Sequence, residues 1–400
     1  MSERKYVVIS TDCHAGGSMD QYREFLDPKW LDEFDAWRGA YKNPFRDLSG
    51  SKRYRNWDSD ARLREMADDG IVAEVAFPNT VPPFFPSASF MARAPETRDD
   101  YERRWAGLQA HNRWVRDHFV AAAPARRAGM AQILLNDVDD AVAEIHWAAE
   151  HGLRGGILLP GVPPDSQLPP LYANDVYEPI WDALEDTGLP VNHHSGSAAP
   201  NYGKYPAGAV MWLLETGFYA HRAFWALIFG GVFERHPRLR FVLAESGMGW
   251  LAEELPRTDF LAKGIFGGKV GELGFGADQR LPQLPSEYFR RNVWVTASFM
   301  GPSECAKRHK VGVDKIMWAS DYPHDEGTYP YSRQALRNTF HDVPEPEVRK
   351  MLSETAAEIY AFDLDALQSL ADEFGMSPAE VAEPLDSVPD DTESNAFARR

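Results

Sequence analysis

Four short apolar runs in this chain each end on side chains of the kind that ligate metal. Asp12 and His14 follow Tyr6-Val7-Val8-Ile9, His193 and His194 follow Leu189-Pro190-Val191, Glu245 follows Phe241-Val242-Leu243-Ala244, and Asp321 follows Ile316-Met317-Trp318-Ala319-Ser320. Carboxylates and imidazoles together hold divalent cations, and such a cation can polarise a carboxylate or carbonyl and activate water. Residues this far apart in sequence share one site if the runs are parallel strands of a barrel, whose C-terminal ends all open on one face.

The local spacing sharpens the set. Asp12 and His14 are two apart on a strand, so both side chains lie on one side of the sheet and can serve one ion. His193 and His194 are adjacent and face opposite ways; His194 is preferred as the inward ligand, and His193 either supports it, serves a second ion or is a hydrogen-bonded core histidine. Glu245 is followed by Ser246-Gly247-Met248-Gly249, small residues that admit close approach, although a buried acid there could instead pair with Arg257. Asp321, in Asp321-Tyr322-Pro323-His324, is suited both to ligation and to proton transfer. His221, on a helical stretch, joins the ligand candidates only if it reaches the barrel mouth. The candidate metal ligands are therefore Asp12, His14, His193, His194, His221, Glu245 and Asp321, and the candidate catalytic residues are Asp321, Glu245 and His324. Arg154 or Arg257 could bind a substrate carboxylate.

Eight candidate strands begin near Tyr6, Ile71, Ala128, Gly156, Leu189, Arg240, Val293 and Lys315, with helical patterns in most of the intervals. This alternation predicts a closed (β/α)₈ TIM barrel rather than an open doubly wound sheet, and Ala15-Gly16-Gly17-Ser18 is no dinucleotide loop. One domain is expected over residues 1–385. It carries an aromatic-rich insertion at about 16–58, including Tyr22, Phe25, Trp30, Phe34, Trp37, Tyr41 and Phe45, read either as a cap over the barrel mouth or as rings that only pack the insertion down. An amphipathic helix runs through Ala361, Leu364, Leu367 and Leu370, and residues 386–400 read as a mobile tail.

The 400 residues are 44% hydrophobic, enough for a large core, and the formal net charge of −18 argues against nucleic acid as a partner. Two cysteines, Cys13 and Cys305, imply no disulfide framework. With no signal-peptide pattern and no bilayer-length apolar run, a soluble cytoplasmic enzyme acting on a small molecule is expected, with homo-oligomerisation left open.

The set Asp12/His14, His194, Glu245 and Ser320-Asp321-Tyr322-Pro323-His324, together with Gly231-Val232-Phe233-Glu234-Arg235-His236-Pro237, resembles the amidohydrolase-related family, including its aminocarboxymuconate semialdehyde decarboxylase type. The likeness runs from Tyr6 to about Phe362 and implies a distorted TIM barrel with one or two divalent metals doing hydrolysis or nonoxidative decarboxylation. Two departures stand out: Asp12-Cys13-His14 replaces the His-x-His of many relatives, and Glu245 stands where some carry a histidine. Oxygen-rich ligation favours iron or manganese over zinc. The Asp-Cys-His-Ala-Gly opening and the Glu-Ser-Gly-x-Gly-Trp segment are also similar to a branch of dinuclear non-haem iron monooxygenases acting on terpenoid acyl substrates. The leading expectation from sequence is thus a two-iron monooxygenase hydroxylating an apolar acid or thioester. The alternative is a hydrolase or decarboxylase using zinc or manganese, and a metal-free binding protein is the third class considered.

Overall fold

The computed structural model describes residues 4–42 and 52–398. Its centre is one parallel eight-stranded sheet: β1 Ile9–Ala15, β2 Ala73–Pro78, β3 Arg127–Gln132, β4 Gly156–Leu158, β5 Val191–His194, β6 Phe241–Ala244, β7 Val293–Ser298 and β8 Ile316–Ala319, each paired with the next. Every residue of these strands is buried, as expected when side chains fill the barrel on one face and helices cover the other. All eight expected strands are present, displaced by at most three residues at their starts.

Closure is made by the chain just beyond β8. Cys13 and Tyr322 form a parallel bridge, His14 N–H donates to the Tyr322 carbonyl at 2.6 Å, and Asp321 N–H donates to the Asp12 carbonyl at 2.9 Å. The barrel is therefore pinned shut at the residues expected to carry chemistry. The β1–β2 register shifts between Ser10 and Cys13, an irregularity that re-aims Asp12 at the rim.

A buried charge cluster supports β1 from outside. The Glu74 carboxylate on β2 accepts from Arg62 Nε at 2.8 Å and from Arg127 Nε at 3.0 Å, all three side chains being essentially inaccessible. Arg62 also donates to the His14 carbonyl at 2.7 Å, which ties the ligand-bearing end of β1 to this cluster.

The insertion after β1 contains helices Met19–Arg23 and Leu31–Ala40. Its rings pack on one another and on the helix Arg98–Trp114 and its neighbouring loop: Phe34 and Leu26 are buried with Phe84 and Ala110, flanked by Phe25, Trp30 and Trp37. Tyr22 is buried with its hydroxyl against Thr80 and His111, and Tyr41 stacks on Trp37. Phe45 lies outside the described residues.

Two local readings are corrected. Ala361 does not belong to the C-terminal helix: it ends Thr355–Tyr360 in a left-handed conformation, and Asp363 caps the next helix, Leu364–Phe374. The segment from 386 to 398, expected to be a tail without fixed structure, seats Ala396 and Phe397 against Ala335, Phe299 and Tyr331. Among the described residues no helix is long and apolar enough to cross a membrane.

Candidate metal centre

Four side chains from three strand ends and one bulge converge at the barrel mouth. Asp12, His14, His194 and Glu245 each offer one ligand atom, and these atoms all lie within 4.8 Å of one another. His14 Nε2 is 3.4 Å from Asp12 Oδ1 and 3.2 Å from Asp321 Oδ1, while His194 Nε2 is 3.4 Å from Asp12 Oδ1 and 3.3 Å from Glu245 Oε2. None of these approaches has hydrogen-bond geometry for the atoms concerned: Asp12 Oδ1, His14 Nε2 and His194 Nε2 are buried without a partner. Orphaned buried donors and acceptors are costly, and three aimed at one point from distant segments fit a shared cation.

The tautomers agree. His14 Nδ1 faces the Pro78 carbonyl at 3.3 Å and His194 Nδ1 faces the Ser195 carbonyl at 2.8 Å. A carbonyl only accepts, so each Nδ1 carries the proton and each Nε2 is left with a lone pair toward the cluster, the orientation metal-ligating histidines take. Ser298 Oγ donates to Asp12 Oδ2 at 2.6 Å, leaving Oδ1 for the ion. Glu245 and Asp321 both sit in the left-handed region, with φ of +50° and +58°, strain that non-glycine residues hold chiefly at functional sites.

The electrostatics call for positive charge. Burial, and then the Asp321 carboxylate, push the Glu245 carboxyl up to about 8. Burial also works against the charged imidazoles of His14 and His194, but the carboxylates around them outweigh it and hold both above the ordinary histidine value. Without a counter-ion the crowded carboxylates draw protons onto Glu245 and onto the two imidazoles; a divalent ion at the shared point removes that demand. The residues present therefore fit a divalent cation.

Beside the cluster stands a proton-carrying pair. His324 Nδ1 lies 3.0 Å from Asp321 Oδ1, and its Nε2 lies 3.1 Å from Asn79 Oδ1, whose own amide group donates to Asn56 Oδ1 at 2.6 Å. Both ring nitrogens face acceptors, so His324 is an imidazolium. Burial opposes that charge, but Asp321 prevails and pushes His324 up to about 10.

Several anticipated residues lie elsewhere. His193 points to the other face of β5, with Nδ1 on the Leu159 carbonyl at 3.1 Å and its ring near Phe241, because alternation along a strand sends neighbours to opposite sides. His221, on the helix Gly208–Phe229, stacks on Trp250 with centroids 3.6 Å apart and meets the Ser246 carbonyl rather than the donor cluster. Arg154 is spent on the carbonyls of Pro124, Ala125, Arg127 and Ala361, and Arg257 pairs with Glu254 rather than Glu245. Asn79 and Ser298 were missed; each lies at the end of a strand, so the rule that found the acids and imidazoles would have found them if extended to amides and hydroxyls.

A cavity of about 1040 Å³ is walled by Leu171, Phe218, His221, Trp225 and Trp250 among others. None of the four donors and, among the described residues, none of the insertion's aromatic rings lines it. Nearer the donors, Phe77 and Phe90 flank His194 with ring centroids 4.8 and 5.0 Å away.

The chain is similar to gamma-resorcylate decarboxylase of Rhizobium sp. (strain MTP-10005), 26% identical over 220 residues; the match spans 51% of this chain and 62% of that relative, less than two thirds of its length. In fold it is similar to 5-carboxyvanillate decarboxylase from Sphingomonas paucimobilis, at 21% identity and a TM-score of 0.64 over 89% of this chain and 99% of the other. It is likewise similar to a dihydroxybenzoic acid decarboxylase from Polaromonas sp. JS666, with bound manganese and 2-nitroresorcinol, at 19% identity and a TM-score of 0.63 over 89% and 97% of the two chains. These likenesses correct the expectation of a two-iron monooxygenase: the relatives are decarboxylases rather than oxidoreductases, and the metal named in the Polaromonas structure is manganese, not iron. The sequence overweighted oxygen-rich ligation, which suits manganese as well as iron. With residues 37–362 matched by the amidohydrolase family model, a span that takes in His194, Glu245, Asp321 and His324 and to which the geometry adds Asp12 and His14, the chain belongs to the amidohydrolase family.

Proposed function

We propose that this protein is a divalent-metal-dependent decarboxylase that removes the carboxyl group of an aromatic acid without oxidation. The observation that carries the proposal is the juxtaposition of the four-donor cluster, Asp12, His14, His194 and Glu245, with the Asp321–His324 pair on one rim of the barrel. The decarboxylases to which the chain is similar support the same reading. One ion accounts for the four-donor set, and manganese is the favoured metal. When bound, the ion supplies Lewis-acid charge for the oxygens of the substrate.

The chain's own residues supply the rest. In a nonoxidative decarboxylation the bond between the ring carbon and the carboxyl carbon breaks, the electron pair stays on the ring, carbon dioxide leaves, and the ring carbon takes a proton. His324 stores that proton as an imidazolium, and Asp321, hydrogen-bonded to it and reaching the donor cluster, relays it. Asn79 keeps His324 oriented through its Nε2. Phe77 and Phe90 provide apolar walls beside His194 against which an aromatic ring can lie.

The test is direct. Protein loaded with Mn²⁺ and incubated with 2,6-dihydroxybenzoate, 5-carboxyvanillate and related hydroxybenzoates should release carbon dioxide and the decarboxylated phenol, with no oxygen uptake at an electrode. Absence of decarboxylation across such a panel with metal stoichiometrically bound would overturn the assignment.

A further inference from the structure

At the rim of the barrel stands a buried amide that neither the donor cluster nor the proton-carrying pair uses. Gln132 is the last residue of β3, as His194 is the last of β5. Along β3, Ala128 and Met130 share a buried cluster with Val75, Phe77, Leu158, Val242 and Ala244 of other strands, whereas Ala131 shares one with Ile145 and Ala148 of the helix Val138–Glu150. The period of two therefore turns Gln132 to the barrel interior, at the end where barrel sites are built.

Gln132 is held everywhere except at one atom. Its backbone N–H donates to Asn112 Oδ1 at 2.9 Å and its carbonyl accepts from Asn112 Nδ2 at 2.9 Å, a reciprocal pair with a buried amide. The Ser89 hydroxyl donates to Gln132 Oε1. Nε2 is left with two hydrogens and, among the described residues, no partner, in a residue only 2% exposed. A buried donor without an acceptor has lost its water with no return, and native proteins hold few of them.

We propose that Gln132 Nε2 recognises the substrate, donating to a hydroxyl oxygen on the ring of the aromatic acid whose carboxylate lies at the metal centre. This rests on the decarboxylase reading for the presence of that ring. Phe90, next to Ser89 in sequence, places the two groups together. Its ring lies 5.0 Å from the His194 ring, centroid to centroid, and Phe90, Ser89 and Gln132 border a cavity of about 30 Å³ with Leu158 and Gly161. A space of that order admits one water-sized group, such as a hydroxyl, and no second ring. Arg93, the cation bordering the same cavity, is paired with Asp165 at 3.0 Å, so a neutral hydroxyl suits the site better than a second carboxylate. One loop thus supplies an apolar wall for the ring and the hydroxyl that aims the amide at what the ring carries. An acid without that oxygen leaves Nε2 unpaired, and a site built in this way discriminates against it.

The test compares benzoate with 2-, 3- and 4-hydroxybenzoate by calorimetric titration of the Mn²⁺-loaded protein. Wild type should bind at least one hydroxylated isomer about 10-fold more tightly than benzoate. Gln132→Met keeps the length of the side chain and removes the amide. It should bring that ratio to within about 2-fold while leaving benzoate affinity, manganese stoichiometry and the circular dichroism spectrum unchanged. Ser89→Ala, which leaves Gln132 in place but no longer aimed, should lower the ratio about 3-fold and reports on the same contact should the Gln132 variant misfold. A preference that survives both variants, or a loss that falls equally on benzoate and the hydroxybenzoates, overturns the inference and leaves the decarboxylase reading standing. A wild type that holds manganese yet binds none of the four acids overturns both.

Discussion

Replacing Glu74 by Gln probes the connection between the buried scaffold and the metal centre. Glu74 is the counter-charge for two buried guanidiniums, Arg62 and Arg127, which are 1% and 0% accessible. The amide keeps the volume and one acceptor but leaves two cations facing a neutral group in a water-free setting. Breaking a buried pair in this way costs about 3–5 kcal/mol, chiefly because the remaining charge has lost its partner. For a chain of this length the unfolding entropy is about 0.8 kcal/mol per kelvin, so the melting temperature should fall by about 4–6 °C. A second consequence is specific to this architecture. Arg62 holds the His14 carbonyl at 2.7 Å, and a guanidinium released from Glu74 no longer fixes the end of β1. Affinity for Mn²⁺ should fall about 10- to 100-fold, the usual effect of losing an outer partner of a metal ligand. The assays are thermal unfolding of the metal-free protein and calorimetric Mn²⁺ titration of the folded variant. An unchanged melting temperature would refute the buried-charge argument. A fallen melting temperature with unchanged metal affinity would refute the coupling to His14.

Further predictions follow from separate contacts. Ser298→Ala removes the donor that turns Asp12, and should weaken Mn²⁺ binding about 10-fold or more with little change in melting temperature; calorimetry checks it. His324→Asn should lower kcat by about 100-fold or more while leaving stoichiometric metal binding intact, and a variant with unchanged kcat would remove the proton-store role. Asp69 accepts from Ser332 N–H, and burial pushes its carboxyl up to about 6. Because the folded value exceeds the unfolded one of 3.8, its contribution is fully present below about pH 4 and is lost as pH rises through 6, about 3 kcal/mol in all. Asp69→Asn should therefore gain stability relative to wild type between pH 4 and 8 in urea unfolding; a difference that does not change with pH would contradict this.

The barrel was legible because fully buried parallel strands are short continuous apolar runs, and eight of them alternated with helical intervals. The centre was legible for the same reason, since ligand-type side chains stood at the ends of those runs. What strand periodicity could not convey was the outer layer. Asn79 and Ser298 are ordinary polar residues until the fold sets them against His324 and Asp12. Arg62 and Glu74, twelve positions apart, reveal no pairing through spacing alone, because the helix Ser59–Asp68 and β2 meet only in the folded chain. His221 misled because a helical histidine next to a barrel mouth has two outlets, and here stacking on Trp250 took it. The chemistry was misjudged on donor type and on the likeness of two short segments: a carboxylate-rich set constrains the hardness of the metal but not the reaction performed beside it.

The central claim is that Asp12, His14, His194 and Glu245 share one divalent ion. Metal analysis of the purified protein after saturation with Mn²⁺ and desalting, done in parallel on wild type and on Asp12→Asn/His194→Asn, measures this directly. The account predicts close to one manganese per chain in the wild type and almost none in the double variant, with both proteins folded. A wild type that retains no divalent metal, or a double variant that retains as much as the wild type, would contradict it.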